Sequence, residues 1–279
     1  MAYENYKFLK FRSERGVLFV TINNPPINLL TYDLGLELFR FSGEIPADKE
    51  TRVIVFDSAN PEFFIAHFDV TFLAEYPDQP APRIADLHEL NKVHETFRRI
   101  PKVSIGKIAG RARGGGSEFL LGLDMRFGAI GKAVFGQPEV ALGIIPGGGG
   151  TQRLPRLVGT ARALEIIMGC GDLSAEEAER YGYLNRALPP DELTHFVEDL
   201  AFRIASFPAE TIALAKAAIR AATELPLIEG LLEETWLFNQ SCALPVAKAR
   251  MKKFMELGGQ TREGELDLSK MYFSLAEAE

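Results

Sequence analysis

The chain has 279 residues, 47% of them apolar and 25% charged, with 31 basic against 38 acidic side chains and a formal net charge of −7. That composition is ordinary for a globular protein and excludes a disordered tail, a collagen-like fibre and a disulfide scaffold. The acidic balance leaves no basic excess for holding nucleic acid or an anionic membrane by bulk electrostatics, so an anionic ligand would need local groups.

In chain order, the polar N-terminal stretch to Phe11 carries neither a signal-like apolar run nor an Arg-rich transit pattern. No apolar run approaches the roughly 20 residues of a membrane span. These features are those of a soluble, cytoplasmic chain. Val17 to Ile22 and Val53 to Phe56 are nearly continuous apolar runs, which predicts strands buried on both faces. Between them Thr31 can cap a helix carrying Leu34, Leu38 and Phe41 on one face. A second helix is expected over 84–100, stopping before Pro101, and another strand from Val103 to Ala109. This rhythm implies an α/β layer structure with crossover helices.

Ser174-Ala175-Glu176-Glu177 is a capping-box pattern opening a short helix. Beyond Pro189 the strand signal disappears. Helices are expected over 191–206, 208–223, 227–241 and 246–257, punctuated by Pro208, Pro226 and Pro245. No repeat at a fixed period and no low-complexity linker interrupts the chain. Cys170 and Cys242 form no CxxC pair and read as small buried apolar residues.

Three segments can carry chemistry. Gly110 to Glu118 follows a predicted strand and holds Gly114, Gly115 and Gly116 at a strand-to-helix junction. Backbone amides exposed there can hold an anion or a developing oxyanion, with Glu118 in the first helical turn. Taken alone, the segment reads equally well as a tight turn with a dipole-complementing glutamate. The second is Phe135 to Glu139, where Pro138 fixes the backbone before a carboxyl with apolar flanks. Such a carboxyl tends toward a raised pKa and can act as a general acid. The third, Phe63 to Val70, is an apolar post-strand run that packs on the core or lines a pocket. Two carboxyls near an amide anion hole form a constellation for moving a proton beside an activated carbonyl.

Other chemistries lack their residues. Gly147 to Thr151 has no Gly-Lys-Ser/Thr ending, and no GxGxxG opens the first strand-helix unit. His67, His88, His94 and His195 make no HExxH motif, and His88 and His94 read as polar helix positions. No serine sits in a nucleophile elbow.

Together these segments resemble the enoyl-CoA hydratase/isomerase family, the crotonases, from Val17 to about Leu257. The most specific stretch is Gly136-Gln137-Pro138-Glu139 through Ile145-Pro146-Gly147-Gly148-Gly149-Gly150-Thr151-Gln152-Arg153-Leu154. Gly114 to Glu118 with Asp124 matches the family's oxyanion helix, Asn28-Leu29-Leu30 its Asn-Ala-Leu element, and Phe64 to Val70 its Phe-x-Ala-Gly-Ala-Asp-Leu loop. Three positions depart from the pattern. His67 stands where the family has glycine, Phe68 where it has alanine, and Arg113 where an apolar residue is usual.

The resemblance implies an α/β fold, a crotonase-like spiral of ββα units, with a core over 1–200 and a helical C-terminal trimerisation region over 201–279. It implies hydration of a 2-enoyl-CoA thioester to a 3-hydroxyacyl-CoA through an oxyanion-stabilised enolate. Glu118 would activate water and Glu139 donate the α-carbon proton. The backbone N–H groups of Phe68 and Gly115 would form the oxyanion hole. Ile27, Leu29, Ala66, Asp69, Val70, Gly114, Pro138 and Gly147 would contact coenzyme A or the acyl group. No metal or redox cofactor is implied. The partners are the acyl-CoA substrate and further copies of the chain, as a trimer or a dimer of trimers, with no nucleic acid and no membrane. An enoyl-CoA isomerase, another acyl-CoA enzyme of the family, and a non-catalytic acyl-CoA-binding protein remain alternatives. His67 is expected to turn its ring away from the thioester. Phe68 is then expected to offer its amide while its ring narrows the acyl pocket.

Overall fold

A computed structural model describes residues 3–79, 82, 83 and 85–275. The chain opens with β1 (Leu9–Glu14) and β2 (Val17–Ile22), followed by α1 (Tyr32–Glu44). Then come β3 (Val53–Ser58), β4 (Phe63–Ile65), α2 (Val70–Ala74) and α3 (Glu89–Arg99). β5 (Val103–Ile108), β6 (Arg111–Arg113) and α4 (Gly115–Leu121) lead to β7 (Met125–Ala129) and β8 (Val134–Gly136). α5 (Gly150–Val158), α6 (Thr160–Gly169), β9 (Leu173–Ser174), α7 (Ala175–Tyr181) and β10 (Arg186–Leu188) complete the sheets.

The larger sheet runs β1-β2-β3-β5-β7-β10 and the smaller β4-β6-β8-β9. β1 pairs antiparallel to β2, β8 antiparallel to β9, and the other pairs are parallel. Each of the pairs β3–β4, β5–β6 and β7–β8 gives one strand to each sheet before the chain turns into helix. This is the expected spiral of ββα units.

Alternation decides which way each strand's side chains go. Leu18, Val20 and Ile22 of β2 and Ile54 and Phe56 of β3 enter the main core. Val17, Phe19, Val53 and Val55 face a second cluster under α8 (Pro190–Ala205). Both faces are covered, which is why these runs read as continuously apolar. In the main core Phe119, directly after Glu118, meets the rings of Phe56 and Phe97 edge-on at 5.1 Å and 6.1 Å. That contact fixes the first turns of α4 against the larger sheet.

The caps expected from sequence form. The Thr31 side chain accepts from the Leu34 amide, and Ser174 with Glu177 closes a reciprocal capping box. The helix expected over 84–100 begins later, at Glu89; Ile84 lies outside the described residues.

After β10 the chain is helical: α8, α9 (Ala209–Glu224), α10 (Leu227–Ala243), α11 (Pro245–Glu256), α12 (Arg262–Leu266) and α13 (Leu268–Ser274). α8 runs through residue 200 and buries Leu193, Val197, Ala201 and Ala205 against the sheet. α9 is tied to the core by Lys216, whose Nζ donates to the Phe97 and Lys102 carbonyls and to Asp124 Oδ2, each at 2.7 Å. α10 leaves Leu227, Ile228, Leu232, Trp236 and Phe238 exposed, whereas Leu237 is buried. Among the described residues no helix is long and apolar enough to cross a membrane.

Candidate active site

The two glutamates singled out from sequence line one cavity of about 310 Å³, together with Phe68, Phe72, Leu90 and Gly115. Glu118 reaches it from the first turn of α4, and Glu139 from a short 3-10 turn, Glu139–Leu142, after β8. β6 and β8 are neighbours in the smaller sheet, so the loops that follow them emerge side by side. The Gly114 amide donates to the Gly136 carbonyl at 3.0 Å and closes that junction.

Glu118 is 3% exposed. Its Oε1 accepts from the Gly148 and Gly150 amides, each at 2.8 Å. Burial raises its pKa above the ordinary carboxylate range, while the two amides and the Arg153 guanidinium oppose that rise. Glu139 is pushed up to about 7 by burial, and the facing charge of Glu118 adds to the rise. Glycine at two positions makes room for the carboxyls. A Cβ on Gly148 would stand 2.6 Å from Glu118 Oε2. A Cβ on Gly114, which also has φ +49, would stand 2.6 Å from Glu139 Oε1.

A buried polar chain stands behind Glu139. The Gln137 side chain, with its NH₂ turned toward the carboxyl, donates to Glu139 Oε2 at 3.0 Å and accepts from the Ser117 hydroxyl at 3.2 Å. The Tyr183 hydroxyl lies 2.9 Å from the Ser117 hydroxyl. Each donor then has one acceptor, running Tyr183 to Ser117 to Gln137 to Glu139.

The segment after β4 crosses in front of α4. A parallel bridge joins Leu30 to Phe68, and the Leu30 amide donates to the His67 carbonyl at 2.9 Å. Gly115 approaches so closely that a Cβ there would lie 3.4 Å from the Phe68 nitrogen. Neither the Phe68 nor the Gly115 amide has an acceptor among the described residues. Both residues line the cavity. His67 is absent from the residues with positive φ, so the side chain in place of glycine costs no left-handed strain. Its Nδ1 lies 2.8 Å from the Phe68 carbonyl oxygen. The Phe68 ring packs edge-on to Phe72 at 5.9 Å and forms part of the cavity wall.

The other residues expected to bind ligand are more dispersed. Gly147 lines the cavity. Ile27 and Leu29 flank Asn28, which is buried and donates to Ser58 Oγ at 2.7 Å and to the Phe64 carbonyl at 3.2 Å. The Ala66 amide donates to the Asn28 carbonyl at 3.3 Å, so 27–30 and 66–69 run together beside the cavity. Asp69 caps α2 by accepting from the Thr71 amide, and Val70 is the exposed first residue of that helix. Pro138 caps the 3-10 turn carrying Glu139. Arg113 forms a two-pronged ion pair with Asp172, both bonds at 2.6 Å, and braces β6 against the β9 approach.

Two supporting residues carry no chemical signature along the chain. Gln137 lies within Gly136-Gln137-Pro138-Glu139, where only Glu139 has a side chain that titrates. His94, read as a polar helix position, is fully buried. The signal was available: Leu90, Val93, His94 and Phe97 follow i, i+3, i+4, i+7 spacing, which puts the histidine on the core-facing stripe. Among the described residues no cluster of three or more His, Cys, Asp or Glu side chains could hold a metal ion.

The family model described as enoyl-CoA hydratase/isomerase matches residues 12–261. The chain is 34% identical over 244 residues to a short-chain-enoyl-CoA hydratase of Clostridium acetobutylicum, covering 87% of this chain and 92% of that one. It is 33% identical over 257 residues to a crotonyl-CoA hydratase of Syntrophomonas wolfei, covering 92% and 96%. The crystal structure of an enoyl-CoA hydratase from Bacillus anthracis superposes with a TM-score of 0.82 at 28% identity, covering 90% of this chain and 96% of that one.

The electrostatics make one direct prediction. Carbon-13 resonances of labelled glutamate should show Glu139 titrating near 7, as its burial dictates. In Glu118→Gln the facing negative charge is lost, so that midpoint should move down toward the ordinary value. An unmoved or raised midpoint would show that the two carboxyls do not interact.

Proposed function

The chain belongs to the enoyl-CoA hydratase/isomerase family, and on that premise we propose that it adds water across the double bond of a 2-enoyl-CoA thioester. The observation that carries this reading is the pair Glu118 and Glu139 in one cavity beside two free amides. The thioester oxygen would accept from the Phe68 and Gly115 N–H groups, which favours charge on that oxygen as the enolate forms. Losing one such donor typically costs about 2.7–4 kcal/mol of transition-state stabilisation. No metal and no redox cofactor takes part in this addition.

The environments divide the roles. Glu118 is the carboxyl with two amide donors on one oxygen, which favour its ionised form, so it is the base. It takes a proton from water as the water oxygen bonds to the β-carbon. Glu139, raised to about 7, keeps a proton in much of the population at neutral pH and delivers it to the α-carbon. The product is the 3-hydroxyacyl-CoA. Isomerisation of the double bond needs only one carboxyl, so the presence of both favours hydration.

Coenzyme A would lie along the backbone of Ile27, Leu29 and Ala66, with Asp69, Val70 and Gly114 at the turn into the cavity. Pro138 and Gly147 would border the acyl group. The exposed apolar face of α10 supports assembly as a trimer or dimer of trimers through the helical region 201–279. The same chemistry suits a cytoplasmic enzyme of acyl-CoA metabolism.

Three outcomes test these assignments. Glu118→Gln and Glu139→Gln should each lose about 100-fold or more in turnover of crotonyl-CoA while still binding the thioester, since a positioned general acid or base contributes roughly 10²–10⁴-fold. Near-normal turnover in either variant removes that residue from its role. Phe68→Ala should broaden acyl preference without abolishing catalysis, because the amide remains; an unchanged substrate profile takes the ring out of the acyl pocket. Light scattering should return the mass of three or six chains, and the mass of a single chain would contradict the assembly.

A further inference from the structure

Gly147 to Gly150 hold Glu118, yet four consecutive glycines have little conformational preference of their own. Gly149 adopts φ +111, outside what other residues readily take. Something else must orient the two peptides whose N–H groups reach the carboxylate. Helix α3 packs against this turn and touches it twice. Asn91 Nδ2 donates to the Gly147 carbonyl at 3.2 Å. His94 Nδ1 lies 2.9 Å from the Gly148 carbonyl oxygen.

These are consecutive peptide planes. The Gly147 carbonyl and the Gly148 N–H belong to the same peptide, so holding the oxygen aims the N–H at Glu118 Oε1. The Gly148 carbonyl belongs to the next peptide, which sets the approach to the second donor, Gly150. We infer that Asn91 and His94, one turn apart on α3, are positioning residues for Glu118 that act through the glycine turn. This inference rests on Glu118 being the base.

The chemistry of His94 supports it. A carbonyl oxygen only accepts, so Nδ1 carries the proton and Nε2 keeps a bare lone pair. That Nε2 is buried with no hydrogen-bond partner among the described residues. A buried unsatisfied nitrogen costs stability, so an apolar side chain would serve better if packing were the only task. Burial and the Arg153 charge hold the ring neutral, with its pKa pushed down to about 3, so the ring has one N–H through the working pH range and the Gly148 carbonyl fixes it on Nδ1. The neighbouring Glu95 binds Arg153 of α5 at 2.5 Å, which fixes α3 to the helix that begins at Gly150.

The test compares His94→Asn, His94→Leu and Asn91→Leu. Asparagine places an N–H donor where Nδ1 stands; leucine has its shape and no donor. Asn91 is part-exposed, so Asn91→Leu keeps the question open to measurement if His94→Leu fails to fold. In both leucine variants kcat for crotonyl-CoA should fall about 10- to 100-fold, as a small misplacement of a reacting group does, with KM little changed. The acidic limb of the kcat profile should move to higher pH, because losing amide donors favours protonated Glu118. The charged and titratable groups facing Glu118 are Arg153 of α5, Glu139 and Tyr183, with His94 and Glu95 on α3; none is altered in Asn91→Leu. His94→Asn should retain most of kcat and the unshifted limb. Wild-type kcat and limb in the leucine variants, or an equal loss in His94→Asn, would overturn the inference. Glu118→Gln separates this from the underlying reading: if it abolishes turnover while the leucine variants behave as wild type, only the positioning role fails, and if it stays active the base assignment itself fails.

Discussion

Two backbone amides on one oxygen of Glu118 are the interaction on which the site depends. A carboxylate taken out of water must be compensated or it protonates. A lysine or arginine in direct contact would compensate it fully and hold its pKa far down, leaving a weak base. Amides compensate it in part. Arg153, whose charge acts on Glu118, is already bound to Glu95, so that charge is shared. The result is a buried carboxyl that can ionise and still accept a proton. Glu139 lacks amide donors from the glycine turn, and burial pushes it up to about 7. The two carboxyls therefore differ in their hydrogen-bond donors, which is the basis of the roles proposed for them.

The fold supplies what this interaction needs. Each ββα unit drops one strand into each sheet, and β4, β6 and β8 run parallel, so the loops that follow them leave at the same end of the smaller sheet. Those loops bring Phe68, Gly115 and Glu139 together, and α4 carries Glu118 between them. The rigid parts lie close behind: Phe119 in its aromatic cluster, and the chain from Tyr183 through Ser117 and Gln137. The cavity-lining groups thus sit on loops and on the first turn of a helix, both anchored in a packed core.

Much of the site was legible because its motifs are local. Gly114 to Glu118 and Gly136 to Glu139 are contiguous stretches in which glycine and proline leave few backbone choices. β2 and β3 were legible because burial on both faces makes a strand almost continuously apolar. The smaller sheet was not. Its strands have two or three residues, and Arg111-Ala112-Arg113 shows no apolar pattern at all. Nor does the ββα repeat show in sequence, because the loops between units differ in length. The partners of the glutamates come from remote segments: Gly148 stands 30 residues from Glu118, and His94 stands 54 from Gly148. No window along the chain holds them together.

The account is tested most directly by incubating the purified chain with crotonyl-CoA in heavy water and weighing the product by mass spectrometry. Water addition through Glu118 and Glu139 predicts 3-hydroxybutyryl-CoA carrying one carbon-bound deuterium, on the α-carbon. Recovery of unchanged crotonyl-CoA, or a hydrated product without that deuterium, would contradict it.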